Sequence, residues 1–464
     1  MFKLKEKQTT VRTEFVAGLT TFMAMAYILM VNAGMFGDLG DGYYNAVYIA
    51  TAISAVIGTV LIGLLANLPL AQASGMGLNA FFVYTICFGL GFSYANALVL
   101  VLFDGLLFIL LTVTGLRKII FDAIPKAVKT AISAGIGLFI AFLGLQNAGI
   151  VVNSDSTLVD LHSFNLFFGD VTWAELMPIF VTILAVFTIA ILSKRRVKGA
   201  VLWGILGGAV LYYVLGLATI PGFYGAAVQG NLSLDVIAPF KDFFNLSFGK
   251  VFTEGFDFSA YIAANGTGTL ITTVLTTTLA FCMVDMFDTL GTLYGACSVG
   301  NMLTEEGDVP NMEKAMLADA LATCAGAVCG TSTVTTFVES SAGVAEGGRT
   351  GLSSMFTAAL FFVAMFLAPV AAMIPSCATA AALVYVGILM IGGVKDIDWT
   401  DPCSAVPAFL TMVMMPFTYN ISYGIAFGLI SYIVINLFTG NAKKIKPGTW
   451  IIGLLFLDMF FVSR

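Results

Sequence analysis

Runs of about twenty apolar residues, separated by short polar segments, follow one another along nearly the whole chain, and a run of that length crosses a bilayer as one helix. Of the 464 residues, 59% are hydrophobic and 10% are charged, whereas soluble proteins carry about 25% charged residues. A soluble domain of this size could not bury so much apolar surface, because folded proteins keep a large wetted area. The sequence therefore predicts an all-α polytopic membrane protein.

We predict about fourteen membrane spans from the length of a bilayer-crossing helix. They lie at residues 14–33, 46–67, 70–92, 95–115, 126–149, 174–194, 198–217, 268–296, 314–330, 332–347, 351–374, 377–394, 404–419 and 421–439. Two further segments, 116–124 and 448–462, are amphipathic and are expected to lie in the membrane interface.

The basic residues give the orientation of these spans. With the N-terminus inside, only Lys241 and Lys250 of the 21 Lys and Arg residues fall on the outer side. Inner loops of membrane proteins carry the excess of basic residues, so this distribution agrees with the predicted order of spans. We expect a multi-pass protein of the plasma (inner) membrane with both termini in the cytoplasm. The run from Phe15 is interpreted as an uncleaved first span, since no convincing cleavage site follows it.

The polar stretch at 219–266 divides the predicted spans into two sets of seven. Because seven is odd, the second set would enter the membrane with inverted orientation, which is typical of inverted-repeat transporters. The third span of each set is interrupted by small and polar residues, at 69–79 and 330–343. Paired interruptions of this kind indicate a central binding site, although small residues also permit close helix packing.

Three acidic residues lie inside predicted spans, namely Asp285 and Asp288 in the eighth and Glu339 in the interrupted tenth. A charged group at the bilayer centre costs at least about 2.5–3.5 kcal/mol, so these acids must be protonated, hydrated or hydrogen-bonded. They are candidates for proton coupling and ligand binding; the alternative is that they only fix helix packing. Asp104 is a lone acid in the fourth span, and Asp319 is expected to be hydrated near an inner end.

This sequence lacks the motifs that several classes of protein function require. Gly249-Lys250 is not part of a phosphate-binding loop, so an ATP-driven pump is excluded. The single histidine, His162, lies in a polar stretch, and the seven cysteines have no paired spacing. We therefore expect no cofactor, no metal site and no enzyme. The net charge of −6 is small and indicates little about partners, and we expect no basic surface for a nucleic acid.

Four sequence motifs resemble those of the AzgA-like purine permeases, a branch of the nucleobase–cation symporter-2 (xanthine/uracil permease) class. They are 12–27 (RTEFVAGLTTFMAMAY), 75–82 (GMGLNAFF), 284–292 (VDMFDTLGT) and 335–343 (TTFVESSAG). The resemblance implies two inverted seven-span repeats, with short paired strands in broken spans 3 and 10. It also implies a core domain of spans 1–4 and 8–11 and a gate domain of spans 5–7 and 12–14.

On that basis the chain divides into five segments. Residues 1–149 hold core spans 1–4 and gate span 5, 150–217 hold gate spans 6 and 7, and 218–267 form an extracellular connection. Residues 268–374 hold core spans 8–11, and 375–464 hold gate spans 12–14 with an interfacial C-terminal helix.

The resemblance also implies residue roles. Substrate contacts are expected from Glu339, Asp288, Asn79, Phe337 and Thr336. Proton coupling is expected from Asp285, Asp288 and Glu339. Supporting positions are Thr292, Gly75, Gly77 and Ser340. Thr292 stands where uracil-type relatives carry a histidine. The proton-linked role of that histidine therefore has no counterpart at this position.

The expected function is proton-coupled uptake of purine bases, namely hypoxanthine, guanine or adenine, by alternating access. Carboxylates suit this cargo because they accept hydrogen bonds from its N–H groups. A carrier of the same fold for xanthine, uracil or a small anion, and sodium coupling, stay open as alternatives. So does the choice of Asp285 or Asp288 as the proton carrier. A homodimer is expected by family analogy only.

Overall fold

The computed structural model describes residues 2–115, 123–166, 171–224, 235–305 and 308–462. Most of the predicted interfacial segment 116–124 therefore lies outside the described residues. Ten helices within the described ranges are long and apolar enough to cross a membrane. The prediction of a mostly helical polytopic membrane protein is confirmed at that level.

The first half of the chain contains eight helices and three strands among the described residues. They are α1 (Val11–Met25), α2 (Ile28–Gly37), α3 (Tyr43–Leu65), β1 (Gln72–Ser74), α4 (Met76–Ala80), α5 (Tyr94–Thr114), α6 (Lys126–Asn147), β2 (Val151–Ser154), β3 (Leu158–Leu161), α7 (Trp173–Lys194) and α8 (Ala200–Thr219). A π-helical segment, Phe81–Gly89, continues α4.

The second half contributes the remaining helices and one strand. These are α9 (Ala238–Asp242), α10 (Lys250–Thr253), α11 (Ser259–Asn265), α12 (Thr267–Val299), α13 (Met312–Cys329), β4 (Val334–Thr336), α14 (Ser340–Ala345), α15 (Gly351–Ala364), α16 (Ala368–Ala371), α17 (Ser376–Met390), α18 (Pro402–Thr418), α19 (Ile421–Phe438) and α20 (Pro447–Val462).

Local sequence explains where many helices begin. Ser93 and Asn420 cap α5 and α19 by accepting hydrogen bonds from the backbone N–H groups of Asn96 and Tyr423. Such side chains satisfy N–H groups that have no partner within the helix. Proline begins α18 and α20, where its missing N–H costs nothing.

The first apolar run is broken, which the sequence did not predict. Helix α1 ends at Met25, and α2 begins at Ile28 after a turn at Ala26 and Tyr27. Tyr27 is fully buried, so the turn lies inside the protein. A break at this depth is tolerated because the surrounding protein satisfies the freed backbone groups.

The interrupted segments each contain a three-residue strand, and the two strands pair antiparallel. Gln72 stands opposite Thr336, and Ser74 stands opposite Val334. The pair continues through two further backbone bonds, Phe337 N to Ala71 O and Gly75 N to Thr333 O, both 3.0 Å. Pairing removes the cost of unsatisfied backbone groups in an apolar interior.

A threonine from a neighbouring helix satisfies the outer side of each strand. Thr59 of α3 accepts from the Gln72 N–H at 3.0 Å and lies 3.1 Å from the Gln72 carbonyl. Thr323 of α13 has the same relation to Val334, at 3.2 Å and 3.1 Å. In both cases the bonded residue is the first of its strand, so the two halves of the chain hold their strands by the same pair of threonine–backbone hydrogen bonds.

Two groups of helices pack mainly among themselves. The strand-bearing group consists of α1–α5, α12–α15, β1 and β4. The second group consists of α6–α8 and α17–α19. The hairpin of β2 and β3 follows α6 and was not anticipated within the all-α prediction.

Candidate binding site at the paired strands

Glu339 lies three residues after the end of strand β4, at the N-cap of α14, and its side chain is half-buried. The Tyr27 hydroxyl, from the turn between α1 and α2, donates a hydrogen bond of 2.5 Å to Glu339 Oε1. A carboxylate accepts such a bond more strongly than a neutral oxygen does. The break in the first apolar run thus places a hydrogen-bond donor against Glu339, the acid of the tenth predicted span.

Asp288 of α12 is the second half-buried acid at this place. Its carboxyl interacts electrostatically with that of Glu339. Asp285, one turn earlier, is fully buried and accepts a 3.2 Å bond from the Thr323 hydroxyl through Oδ2. The two aspartates on α12 therefore differ in environment: Asp288 is on the accessible side with Glu339, and Asp285 is inside the strand-bearing group.

Asp319 contradicts the expectation of a hydrated residue near an inner end. It is fully buried and accepts three hydrogen bonds, from Gln72 Nε2 at 2.9 Å, Thr289 Oγ1 at 2.8 Å and Thr336 Oγ1 at 3.2 Å. Its position along the predicted span gave no sign of this, because the donors come from β1, α12 and β4. Asp319 joins both strands to the helix behind them.

Other predicted site residues also have partners within the protein. The Asn79 Oδ1 accepts from the Ser332 hydroxyl, and Asn79 Nδ2 donates to Ser74 O at 3.4 Å. Ser340 Oγ accepts from Ala71 N at 3.0 Å. Asn79, Ser340 and Thr336 thus hold the strands in place, and they face polar groups of the protein.

The remaining predicted positions act through packing. Phe337 is 7% exposed and belongs to the apolar core beside Glu339. Thr292 is buried one turn after Asp288. A Cβ on Gly75 would lie 2.8 Å from Thr335 Cγ2, and one on Gly77 would lie 2.3 Å from Ile136 Cγ2. The glycines let the strand and α4 approach their neighbours closely.

Sequence reasoning missed several residues that the structure brings to this place. Tyr27, Gln72 and Thr289 were not singled out, although each is buried and bonded to an acid of the site. The only sequence feature that could have identified them was a polar side chain within an apolar run. That signal is weak, because buried hydroxyls are common in packed helices.

The arrangement suits a neutral ligand that carries N–H donors. Two half-buried carboxyls face the same region, and Tyr27 fixes the orientation of one of them. Within the described part of the chain, no group of three or more His, Cys, Asp and Glu side chains is arranged for a metal ion.

Comparison with known sequences finds permeases. The profile of the Xan_ur_permease family, a permease family, matches residues 12–427. The chain is 38% identical to the guanine/hypoxanthine permease PbuG of Bacillus subtilis, over 100% of this chain and 99% of that protein. It is 36% identical to the adenine permease AdeP of Escherichia coli, over 98% of this chain and 94% of that protein.

A solved structure shows the same fold. The transmembrane domain of the cyanobacterial bicarbonate transporter BicA matches with a TM-score of 0.61, covering 89% of this chain and 97% of that domain. The sequences are 16% identical, so the likeness concerns the fold alone.

Proposed function

This chain belongs to the permease family that matches its residues 12–427, and on that premise we propose that it imports purine nucleobases together with protons. The family consists of transporters and not of enzymes. The relatives named for guanine, hypoxanthine and adenine support a purine as the cargo. The observation that carries the proposal is the pair of accessible acids, Glu339 and Asp288, beside the paired strands.

The chemistry of a purine base fits these acids. The base is planar and offers N–H groups at its edge, which carboxylate oxygens accept with strong directional preference. Glu339 Oε1 is engaged by Tyr27, so Oε2 is the acceptor for the ligand. Phe337 borders the same place and covers a face of the bound ring. Asn79, Thr336 and Ser340 keep the strand ends in position.

We further propose fourteen spans in two inverted repeats. Besides the ten long helices, the described residues include α4 with its π-helical extension, α13, β4 with α14, and α18. These four complete the number. The matching roles of Thr59 and Thr323, each bonded to the first residue of a strand, support a repeat relation between the halves.

In this proposal the strand-bearing group is the core domain and the second group is the gate domain. We keep the boundaries expected at residues 149, 217, 267 and 374 as part of this proposal. Substrate binds to the core, and the loaded core moves against the gate to expose the site to the other side. The basic residues support a plasma-membrane protein with cytoplasmic termini.

Uptake of labelled hypoxanthine by transport-deficient cells that express the chain tests the cargo. We expect saturable uptake that unlabelled guanine or adenine inhibits and that a proton uncoupler abolishes. If uptake persists with the uncoupler but is lost when sodium is replaced, the carrier is coupled to sodium instead. Inhibition by uracil, xanthine or bicarbonate, and not by guanine or adenine, would move the assignment to the other carriers of this fold.

Glu339→Gln tests the site itself. The amide keeps the shape but presents N–H donors in place of an acceptor, so we expect uptake to fall at least about tenfold, the loss expected for one charge-assisted hydrogen bond. Glu313→Gln, an exposed acid in the first turn of α13, is the control and should transport normally. Normal proton-coupled uptake by Glu339→Gln would disprove the role of Glu339.

A further inference from the structure

Two buried acids of the strand-bearing group have oxygen atoms with no N–H or O–H donor. Asp104 of α5 and Asp285 of α12 are both 0% exposed. Neither oxygen of Asp104, nor Oδ1 of Asp285, accepts a hydrogen bond from a described N–H or O–H group. Buried polar atoms in folded proteins nearly always have partners, so three orphaned oxygens in one place need an explanation.

These carboxyls lie in a tightly packed interface. They interact electrostatically with each other, and the thiol of Cys282, one turn before Asp285 on α12, is a weak hydrogen-bond donor to Asp104. Helices α5 and α13 are close at this level, since a Cβ on Gly105 would lie 2.6 Å from Cys324 Sγ. The pair is therefore shielded from solvent by α5, α12 and α13.

The charged groups that face the pair are acids. Asp319 of α13 faces both carboxyls, and Asp288 faces Asp285. Lys250 and Glu254, near the outer end of α5, are paired with each other. Lys129 of α6 lies over the ring of Phe287, 5.9 Å from its centroid. The ion pairs found among the described residues do not include Asp104 or Asp285.

Two carboxyls in such surroundings cannot both be ionised, because each charge would be desolvated and repelled by the other. Asp319 is different, since its three hydrogen-bond donors satisfy a carboxylate. One proton carried by this pair would remove the repulsion, because only one of the two carboxyls would then be charged. Three open oxygens are fewer than the about six that hard metal cations gather, which favours a proton over a metal ion.

We propose that Asp104 and Asp285 hold one proton between them and form the proton-binding site of this carrier. The inference rests on the proposed function and refines it: Asp288 and Glu339 contact the substrate, and Asp285 carries the proton with Asp104 as its partner.

Thr323 connects this pair to the strand that precedes Glu339. Its hydroxyl lies 3.2 Å from Asp285 Oδ2 and 3.1 Å from the Val334 carbonyl. A hydroxyl has one proton to donate, so it can serve only one of these acceptors at a time. When Asp285 is ionised, Thr323 donates to the carboxylate; when Asp285 is protonated, Thr323 is free to donate to β4. The protonation state thereby changes how the strand is held.

The test uses the purified full-length protein in liposomes. Three quantities are measured: binding of labelled hypoxanthine as a function of pH, exchange of hypoxanthine without a gradient, and accumulation driven by an inward proton gradient. For Asp104→Asn we expect exchange to persist, binding to lose its pH dependence, and accumulation to fall about tenfold, within the usual range of coupling between two ligands. Glu313→Gln, an exposed acid in the first turn of α13, retains both buried acids and should behave as the parent.

Thr323→Val tests the connection, because valine has the same shape but no hydroxyl. We expect it to bind hypoxanthine with weakened pH dependence, whereas parental pH dependence would contradict the proposed role of Thr323. Parental coupling in a correctly inserted Asp104→Asn would overturn the proton site. So would accumulation by the parent that follows a sodium gradient and ignores the proton gradient.

A third measurement is independent of transport and of substrate identity. The infrared spectrum of the parent should contain a protonated-carboxyl band, and this band should shift in Asp104→Glu. That variant keeps an acid at position 104, so it can be used if Asp104→Asn fails to insert into the membrane. An unchanged band would contradict the proposal. If the parent binds no purine, the proposed cargo is wrong, and the infrared result still decides whether the pair holds a proton.

Discussion

At the scale of single residues, one hydroxyl orients Glu339, the acid that we propose binds the substrate. Tyr27 is fully buried and donates to Glu339 at 2.5 Å, across a sequence separation of 312 residues. The bond holds the carboxylate in one orientation, so less conformational freedom is lost when the ligand binds. Pre-organisation of this kind improves affinity without adding a contact to the ligand.

Tyr27→Phe should therefore weaken hypoxanthine binding without preventing insertion into the membrane. Loss of one hydrogen bond to a charged group corresponds to about 1.4 kcal/mol, or a roughly tenfold higher Kd. Equilibrium binding to purified protein measures this. The matched control is Tyr48→Phe, which removes a buried hydroxyl that donates to the Ala364 carbonyl at 3.0 Å and should leave Kd unchanged. An unaltered Kd in Tyr27→Phe would show that the hydroxyl does not orient the acid.

At the scale of elements, the two short strands depend on side chains of neighbouring helices. Thr59, Thr323 and Asp319 satisfy polar groups that three-residue strands cannot satisfy by pairing alone. Helix α4, which follows β1, contacts the second group through Gly77, whose Cα faces Ile136 of α6. This contact lies between the two groups that move in the proposed mechanism.

Gly77→Ala should reduce transport strongly, since its new Cβ would lie 2.3 Å from Ile136 Cγ2. Overlap of this size requires the backbone of α4 or α6 to shift, and overpacking typically costs about 1–3 kcal/mol. Adding Ile136→Ala makes room and should recover uptake, measured as initial rate at equal protein level. Ile136→Ala alone is the control. Failure of the double variant to improve on Gly77→Ala would indicate that Gly77 acts through backbone freedom instead of space.

At the scale of the whole molecule, few polar contacts join the two groups of helices. One is the ion pair of Lys198, which precedes α8, with Glu346 at the end of α14, at 2.9 Å. Both side chains are partly exposed, 45% and 35%, so the pair contributes little to stability. A weak contact of this kind can break and reform as the groups move.

Alternating access predicts that a covalent link at this position stops transport. Cysteines at positions 198 and 346, joined by a short thiol-reactive cross-linker, should abolish uptake while hypoxanthine binding persists. Each single-cysteine variant, treated with the same reagent, controls for the seven native cysteines. Full uptake by completely cross-linked protein would contradict movement of the core against the gate.

Much of this architecture was predictable because it depends on local composition. The interrupted segments at 69–79 and 330–343 stood out from the uniform apolar runs around them. Asp285, Asp288 and Glu339 stood out because ionisable groups are costly inside a membrane. Asp319 was misjudged, since its three donors come from elements distant along the chain. The break at Tyr27 was missed because the apolar run continues through it.

The sequence by itself determined that this protein spans a membrane many times, contains two broken segments and carries acids inside its spans, because transfer of each residue into lipid depends on its own chemistry. Only the tertiary structure decided the partners: Tyr27 for Glu339, three donors for Asp319, and the electrostatic interaction of Asp104 with Asp285. Hydrogen bonding and electrostatic interaction act over a few ångströms in space, and residues hundreds of positions apart meet only when the helices pack.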